Sequence, residues 1–228
     1  MITLYQFEIS PFCDKVRRVL HWKKVPYEIV EVPLTRLPFL SDVTPTGKVP
    51  ALRFEDRIVV DSTDIVRELE KRFPSPSIFP DDPVDRARVH VLEDWADESL
   101  YWYELTMRIT WANNAATWVP KLAANDPAPI RALAPHLIPR VMARATHGQG
   151  LGRKPRAQVL EEVRRHLEAV ESMVSAGGYL VAGRLTLADI AVYAQLHCIR
   201  GTEEGEPLFA RFPLVLEWMA RVDAETRP

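Results

Sequence analysis

Cysteine is scarce. Cys13 and Cys198 are the only two in 228 residues, too few for a disulfide framework or a thiolate metal cluster. Neither sign of charge dominates: 29 Lys and Arg stand against 31 Asp and Glu, for a net charge of −2 and a pI near 6.3. That balance offers no basic field to nucleic acid or to an anionic membrane. No apolar run approaches the ~20 residues of a membrane span. The first residues lack the basic, apolar and small-residue succession of a signal peptide. Internal repeats and low-complexity tracts are missing as well. The expected setting is therefore the reduced cytoplasm, with no metal, no nucleic-acid partner and no transmembrane segment. The length allows one or two domains, each with a real core.

The stretch that organises the chain is Ser10-Pro11-Phe12-Cys13. Before it, residues 2–7 alternate apolar and polar, as a half-buried strand does. After it, Phe12, Val16, Val19 and Leu20 recur at i, i+4, i+7 and i+8, one face of a helix. Ser10 is a favoured N-cap and Pro11 suits the first helical position. A strand entering a helix in this way leaves free N–H groups and partial positive charge at one spot. Such a spot suits an anion, and a thiolate is an anion. The plain alternative is that Ser10 only caps its helix.

Residues 26–32 alternate again and predict a second strand, parallel to the first because a helix intervenes. Residues 33–42 are broken by two prolines, with a helical turn allowed at 37–40. Glu55-Asp56 is a candidate two-residue turn between strands at 51–54 and 57–60. Asp61-Ser62-Thr63-Asp64 opens a helix whose apolar face carries Ile65, Val66, Leu69 and Phe73. Four prolines between residues 73 and 83 predict a linker.

Beyond it only helices are expected. Val91, Trp95, Trp102, Leu105 and Ile109 mark one stripe of a long helix, with Glu98 inside the stripe and Asp94, Asp97 and Glu104 on a solvated face. Five prolines from 120 to 139 predict short or broken helices, and the glycines of 147–152 predict a second interruption. Helix returns through Val159, Val163, Leu167, Val170 and Val174 and stops near Gly177-Gly178. Thr186-Leu187-Ala188-Asp189 has the form of a capping box, and 213–222 predicts a last short helix.

A βαβ–ββα unit, a proline-rich linker and an all-helical remainder resemble a glutathione transferase. The N-terminal domain would be thioredoxin-like (1–75), the helical one would span 84–228, and residues 74–83 would link them. Ser-Pro-Phe at 10–12, followed by Lys15-Val16-Arg17-Arg18, resembles the helix start of the serine-type, tau- and omega-like transferases. Residues 47–52 are similar to the family's loop before its third strand, Asp61-Ser62 to its acidic-Ser pair, and 183–190 to its capping box. Residues 147–153 and the helix after them resemble the metaxin-like branch.

The resemblance implies glutathione as co-substrate, Ser10 as donor to its sulfur, and a small-molecule electrophile as the second substrate. Alone, sequence favours a trans Val49–Pro50 bond; the resemblance implies cis, with the Val49 backbone turned toward the peptide. Lys48 would meet the glycyl carboxylate, Ser62 the γ-glutamyl carboxylate and Asp61 the α-ammonium. Each also has an ordinary role: a solvated loop charge for Lys48, helix caps for Asp61 and Ser62.

Phe12, Tyr101 and Trp102 are candidates for the electrophile pocket, with Tyr103 and Trp111 as further aromatics. Cys13 is expected to be a buried structural thiol, and Cys198 and His197 to pack beside Tyr193. A two-fold homodimer is expected, pairing one chain's thioredoxin-like domain with the other's helical domain. Two other functions stay open: a non-catalytic interaction protein on the same fold, and a glutathione-dependent thiol reductase.

Overall fold

The computed structural model describes residues 1–39, 43, 44 and 46–228, with the side chain of Phe39 excepted. Strand β1 (Thr3–Gln6) leads into helix α1 (Pro11–Trp22), then β2 (Glu28–Glu31) and a 3-10 turn at Leu34–Phe39. Leu40, the end of the allowed helical turn, lies outside the described residues. β3 (Ala51–Arg53), β4 (Ile58–Val60) and α2 (Ser62–Arg72) complete this part.

The sheet order is β2-β1-β3-β4, with β1 parallel to β2 and the other pairings antiparallel. Leu4 pairs with Leu52 in register, and both are fully buried beneath Val16, Val19 and Leu20 of α1 and Ile65 and Leu69 of α2. The Glu55-Asp56 turn holds, closed by the Phe54 N–H donating to Arg57 O at 2.8 Å. β2 departs from its alternating pattern. It forms the sheet edge, so Ile29 and Val30 are both exposed.

The proline-rich segment is held to the sheet unit by Lys23 and by Glu70, which accepts from the Ser77 hydroxyl and the Ile78 N–H. Lys23, at the end of α1, donates to Phe73 O (2.7 Å) and Pro76 O (2.8 Å) and pairs with Glu70. Then come α3 (Pro83–Trp95), α4 (Tyr101–Leu105), α5 (Ala112–Leu122), α6 (Ala128–Gln149), α7 (Arg156–Val174), α8 (Leu187–Arg200), α9 (Gly205–Phe209) and α10 (Pro213–Thr226).

α8 is buried along nearly its whole length, and α1 and α3 pack against it. Its capping box is complete, and Asp189 does more than cap. Its carboxylate accepts from the Thr186 and Leu180 N–H groups and from Trp218 Nε1, all within 2.9 Å. Arg18 of α1 joins the two halves. It reaches Asp14 (2.7 Å), Thr226 Oγ1 (2.9 Å) and Asp223 (2.9 Å) and lies over the Tyr193 ring.

Two expectations fail here for identifiable reasons. The run 83–110 is not one straight α-helix: π-helical turns occupy Ala96–Leu100 and Thr106–Thr110. A π turn holds one more residue than an α turn, so a stripe drawn at 3.6 spacing loses phase across it. Val91 is accordingly 65% exposed while Val89 is buried, Glu98 faces solvent, and Glu93 and Glu104 are buried instead.

The proline-dense segment is not short helix either. α6 runs for 22 residues with Pro135 and Pro139 inside it, and Pro120 lies inside α5. The carbonyls those prolines cannot bond belong to Ala116, Arg131 and Pro135, all exposed residues. Water can serve carbonyls there, so much of the usual penalty is avoided. The predicted break at 147–152 falls at Gly150, whose φ of +119° ends α6.

Candidate active site where the sheet unit meets the helices

A cavity of about 710 Å³ opens between the C-terminal end of β1 and the helices α3, α4 and α6. Ser10 lies on its floor at the mouth of α1. The Ser10 N–H donates to Phe7 O at 3.1 Å, and Oγ accepts from the Cys13 N–H at 3.4 Å. A hydroxyl has one donor hydrogen and two acceptor sites. Capping uses an acceptor site and leaves the Ser10 hydroxyl its donor hydrogen. Cys13, one turn along, is fully buried, and burial pushes its thiol up to about 11 against the lowering pull of Ser10. It does not line the cavity.

Lys48, Val49 and Pro50 form one rim. The loop that carries them is set by buried Thr44, whose hydroxyl donates to Lys48 O and whose Oγ1 accepts from the Lys48 N–H at 3.0 Å. Gly47, at φ +65°, closes that turn by donating its N–H to Thr44 O. The Val49–Pro50 bond is cis. Among the described residues, neither the N–H nor the C=O of Val49 has a hydrogen-bond partner.

Asp61 and Ser62 form the opposite rim. Asp61 holds the left-handed φ of +76° as N-cap of α2, and its Oδ1 accepts from the Thr63 N–H at 2.9 Å. Ser62 follows as a buried residue in the first turn. Three aromatics stand above: Phe12 and Tyr101 have ring centroids 5.1 Å apart, Tyr101 and Trp102 5.3 Å. Tyr103 and Trp111 point elsewhere. Tyr103 donates to Glu162 at 2.9 Å, and Trp111 is buried under Arg156.

Tyr103 and Trp111 apart, the cavity thus brings together Ser10, Phe12, Lys48, Val49, Pro50, Asp61, Ser62, Tyr101 and Trp102 from separated parts of the chain. Sequence reasoning missed the charged groups behind them. Lys15 is 1% exposed and donates to Glu93 at 2.8 Å and Asp97 at 2.5 Å, while Thr63 also donates to Glu93. Burial works against the Lys15 charge, but Asp97 and Glu93 outweigh it and raise its pKa. Burial, with the Glu93 and Asp61 carboxylates nearby, lifts Asp97 to about 6 although Lys15 opposes the rise. Burial disfavours the charged carboxylate more than the Lys15 ammonium, shared with Glu93, favours it.

Arg108, also missed, is 4% exposed and reaches into the same cavity. Its Nη1 donates to Ile9 O at 2.8 Å and lies 3.2 Å from Cys198 Sγ. The one signal for these groups was the spacing of acids and bases on the 83–110 helix: Glu93 with Asp97, and Glu104 with Arg108, are i, i+4 pairs.

Fold and cavity together describe a thioredoxin-like unit with an all-helical partner and a site at their joint. Two family models agree with this: "Glutathione S-transferase, N-terminal domain" matches residues 4–77 and "Glutathione S-transferase, C-terminal domain" matches 131–221. The chain belongs to the glutathione transferase superfamily.

Among similar proteins, LigF of Sphingobium is 28% identical over 98% of this chain and 90% of its own length. The chloroplastic glutathione S-transferase DHAR3 of Arabidopsis thaliana is 38% identical over 35% of this chain, and a stringent starvation protein A homolog of Haemophilus influenzae 36% over 42%. The match spans 30% and 48% of the lengths of those last two. A glutathione S-transferase structure from Rhodospirillum rubrum superposes with a TM-score of 0.73, at 24% identity over 100% of this chain and 91% of that one. Identity at that level speaks for the fold alone.

Proposed function

We propose that the protein is a glutathione transferase in which Ser10 holds the glutathione thiolate for attack on a small hydrophobic electrophile. The observation that carries this reading is convergence. Ser10, the Val49–Pro50 backbone and the Asp61-Ser62 pair meet around one cavity. Glutathione is an extended anionic tripeptide, and the free backbone of Val49 suits its cysteinyl unit. Lys48 is assigned to the glycyl carboxylate, the α2 start with Ser62 to the γ-glutamyl carboxylate, and Asp61 to the α-ammonium.

The free hydroxyl proton of Ser10 and the positive end of α1 then face the sulfur. Bringing a thiol from a pKa near 8.5 to near 6.5 needs about 2.7 kcal/mol, within reach of a donor plus a helix end. The aromatic wall of Phe12, Tyr101 and Trp102 is assigned to the electrophile. We divide the chain into a glutathione-binding domain at 1–75 and a helical domain at 84–228, linked by 74–83.

Calorimetric titration of the purified protein with glutathione tests the reading directly; absence of binding overturns it. Ultraviolet absorbance of the bound thiolate against pH then separates the two roles of Ser10. In Ser10→Ala the bound thiol's pKa should rise and turnover at neutral pH fall ~10–10²-fold, with affinity little changed. If Ser10 is only a cap, the titration curves coincide and about 1 kcal/mol of stability is lost.

A further inference from the structure

Arg108 is a buried cation in the wall of the cavity, and its neighbours use only part of it. It stands in the second π turn, Thr106–Thr110. Nη1 is taken by Ile9 O and by the Cys198 sulfur. Nε lies 2.9 Å from Glu104 Oε2, yet the pair is too poorly aligned for a hydrogen bond, and both atoms are sealed from water. Nη2 carries two further N–H groups, and among the described residues nothing accepts from them. Ile9 thus fixes one corner of the guanidinium, and Glu104 holds the other edge by charge. Trp118 lies below it, 5.1 Å from ring centroid to Cζ. Nη2 remains open on a guanidinium fixed through Nη1 to the residue before Ser10, in a cavity wall that also holds Leu105 and Ile109.

We infer that Arg108 binds an oxygen atom of the second substrate, and that the preferred electrophiles are aromatic compounds whose reactive carbon is conjugated to a carbonyl group. This rests on the glutathione transferase reading above and names the substrate class for it. In such a substrate the thiolate sulfur bonds to the β-carbon. The electron pair of the carbon–carbon double bond shifts toward the carbonyl, and negative charge develops on its oxygen as an enolate. A proton from water then adds to the α-carbon and restores the ketone. Fixed N–H donors aimed at such an oxygen in a water-poor site stabilise the charge where it appears. A substrate that loses a halide develops no charge on a conjugated oxygen. The bond from sulfur to carbon forms, the carbon–chlorine bond breaks, and chloride leaves with the pair.

The test compares 4-phenyl-3-buten-2-one with benzyl chloride, both with glutathione and the full chain. The wild type should turn over both. Arg108→Met should lower kcat/KM for the enone by 10²–10³-fold, the loss seen when one oxyanion donor is removed, and that for the chloride by less than threefold. Arg108→Lys, which keeps charge without the fork, should recover about tenfold of the enone loss.

Equal losses on both substrates, or none on either, would overturn the inference, because a purely structural arginine cannot select between them. So would a wild type that accepts the chloride and refuses the enone. If Arg108→Met does not fold, the lysine variant and the wild-type comparison still decide. A wild type that binds no glutathione, or that uses neither substrate, counts instead against the broader reading.

Discussion

At the scale of single residues, Asp97 is the group whose titration should be visible. Its carboxyl is lifted to about 6, mainly by burial, with Glu93 and Asp61 adding to the rise and Lys15 opposing it. An acid whose pKa is higher folded than unfolded binds more protons in the native state over that interval. Stability contributed by Asp97 is therefore fully present below pH ~4 and is lost as pH rises through about 6. At 1.36 kcal/mol per unit the loss is about 2–3 kcal/mol. Asp97→Asn should remove that slope. Denaturant midpoints for wild type and variant should diverge between pH 4 and 6.5, and parallel curves would show that the proton resides elsewhere in the cluster. Other carboxylates, Glu162 and Asp223 among them, are held low and contribute the opposite slope, so the difference between the two proteins is the informative quantity.

At the scale of elements, what could be read from the sequence was what depends on neighbours a few residues apart. The strand-to-helix turn at Ser10, the βαβ order, the Glu55-Asp56 turn and the Thr186 capping box all rest on such spacing, and all are present. The long α6 was hidden because Pro135 and Pro139 count as breakers until their lost acceptors prove to face water. The Lys15–Glu93–Asp97 cluster and Arg108 were hidden for a different reason: their partners lie about 80 to 100 residues away in the chain. Pro135→Ala gives α6 a direct test. The new N–H can bond the exposed Arg131 carbonyl. A propensity gain of up to ~3 kcal/mol, offset by a freer unfolded chain, should leave about 1–2 kcal/mol of added stability. A lower denaturation midpoint would mean that the proline packs better than its exposure indicates.

At the scale of the whole molecule, two exposed apolar stripes carry charges at their borders. Along α6, Leu133, Leu137 and Val141 are each more than half exposed at i, i+4 and i+8, and Arg140 and Arg144 follow at the same helical spacing. From 127 to 160 the sequence contains no Asp or Glu. The outer side of α3 exposes Val84 and Val91, with Arg88 between them and Asp81, Asp82 and Asp94 at the ends. Two copies related by a two-fold axis can set Arg140 and Arg144 against the aspartates at the ends of the α3 stripe and cover both apolar stripes. We predict a homodimer that loosens as salt rises, since exposed charge pairs are screened over about 8–10 Å at 0.1–0.15 M. Sedimentation should give twice 26.0 kDa at low salt, and a monomer at micromolar concentration would sink the idea.

The π turns of the 83–110 helix carry one more consequence, for how such a wall could change over generations. Each holds a single surplus residue, and each lies where the helix meets the cavity. Removing one codon from either turn would let it relax to an ordinary α turn. The surplus residue is taken up within the turn, so the flanks would keep their facing and their packing on α8, and only the side chains of the shortened turn would be re-aimed. A deletion of this kind re-aims several cavity-facing groups of one turn in one event. Point substitution would need many steps to do the same. The helix is in that sense a ratchet for pocket chemistry, and single-residue deletions at 96–100 and 106–110 are where a search for altered substrate preference should begin.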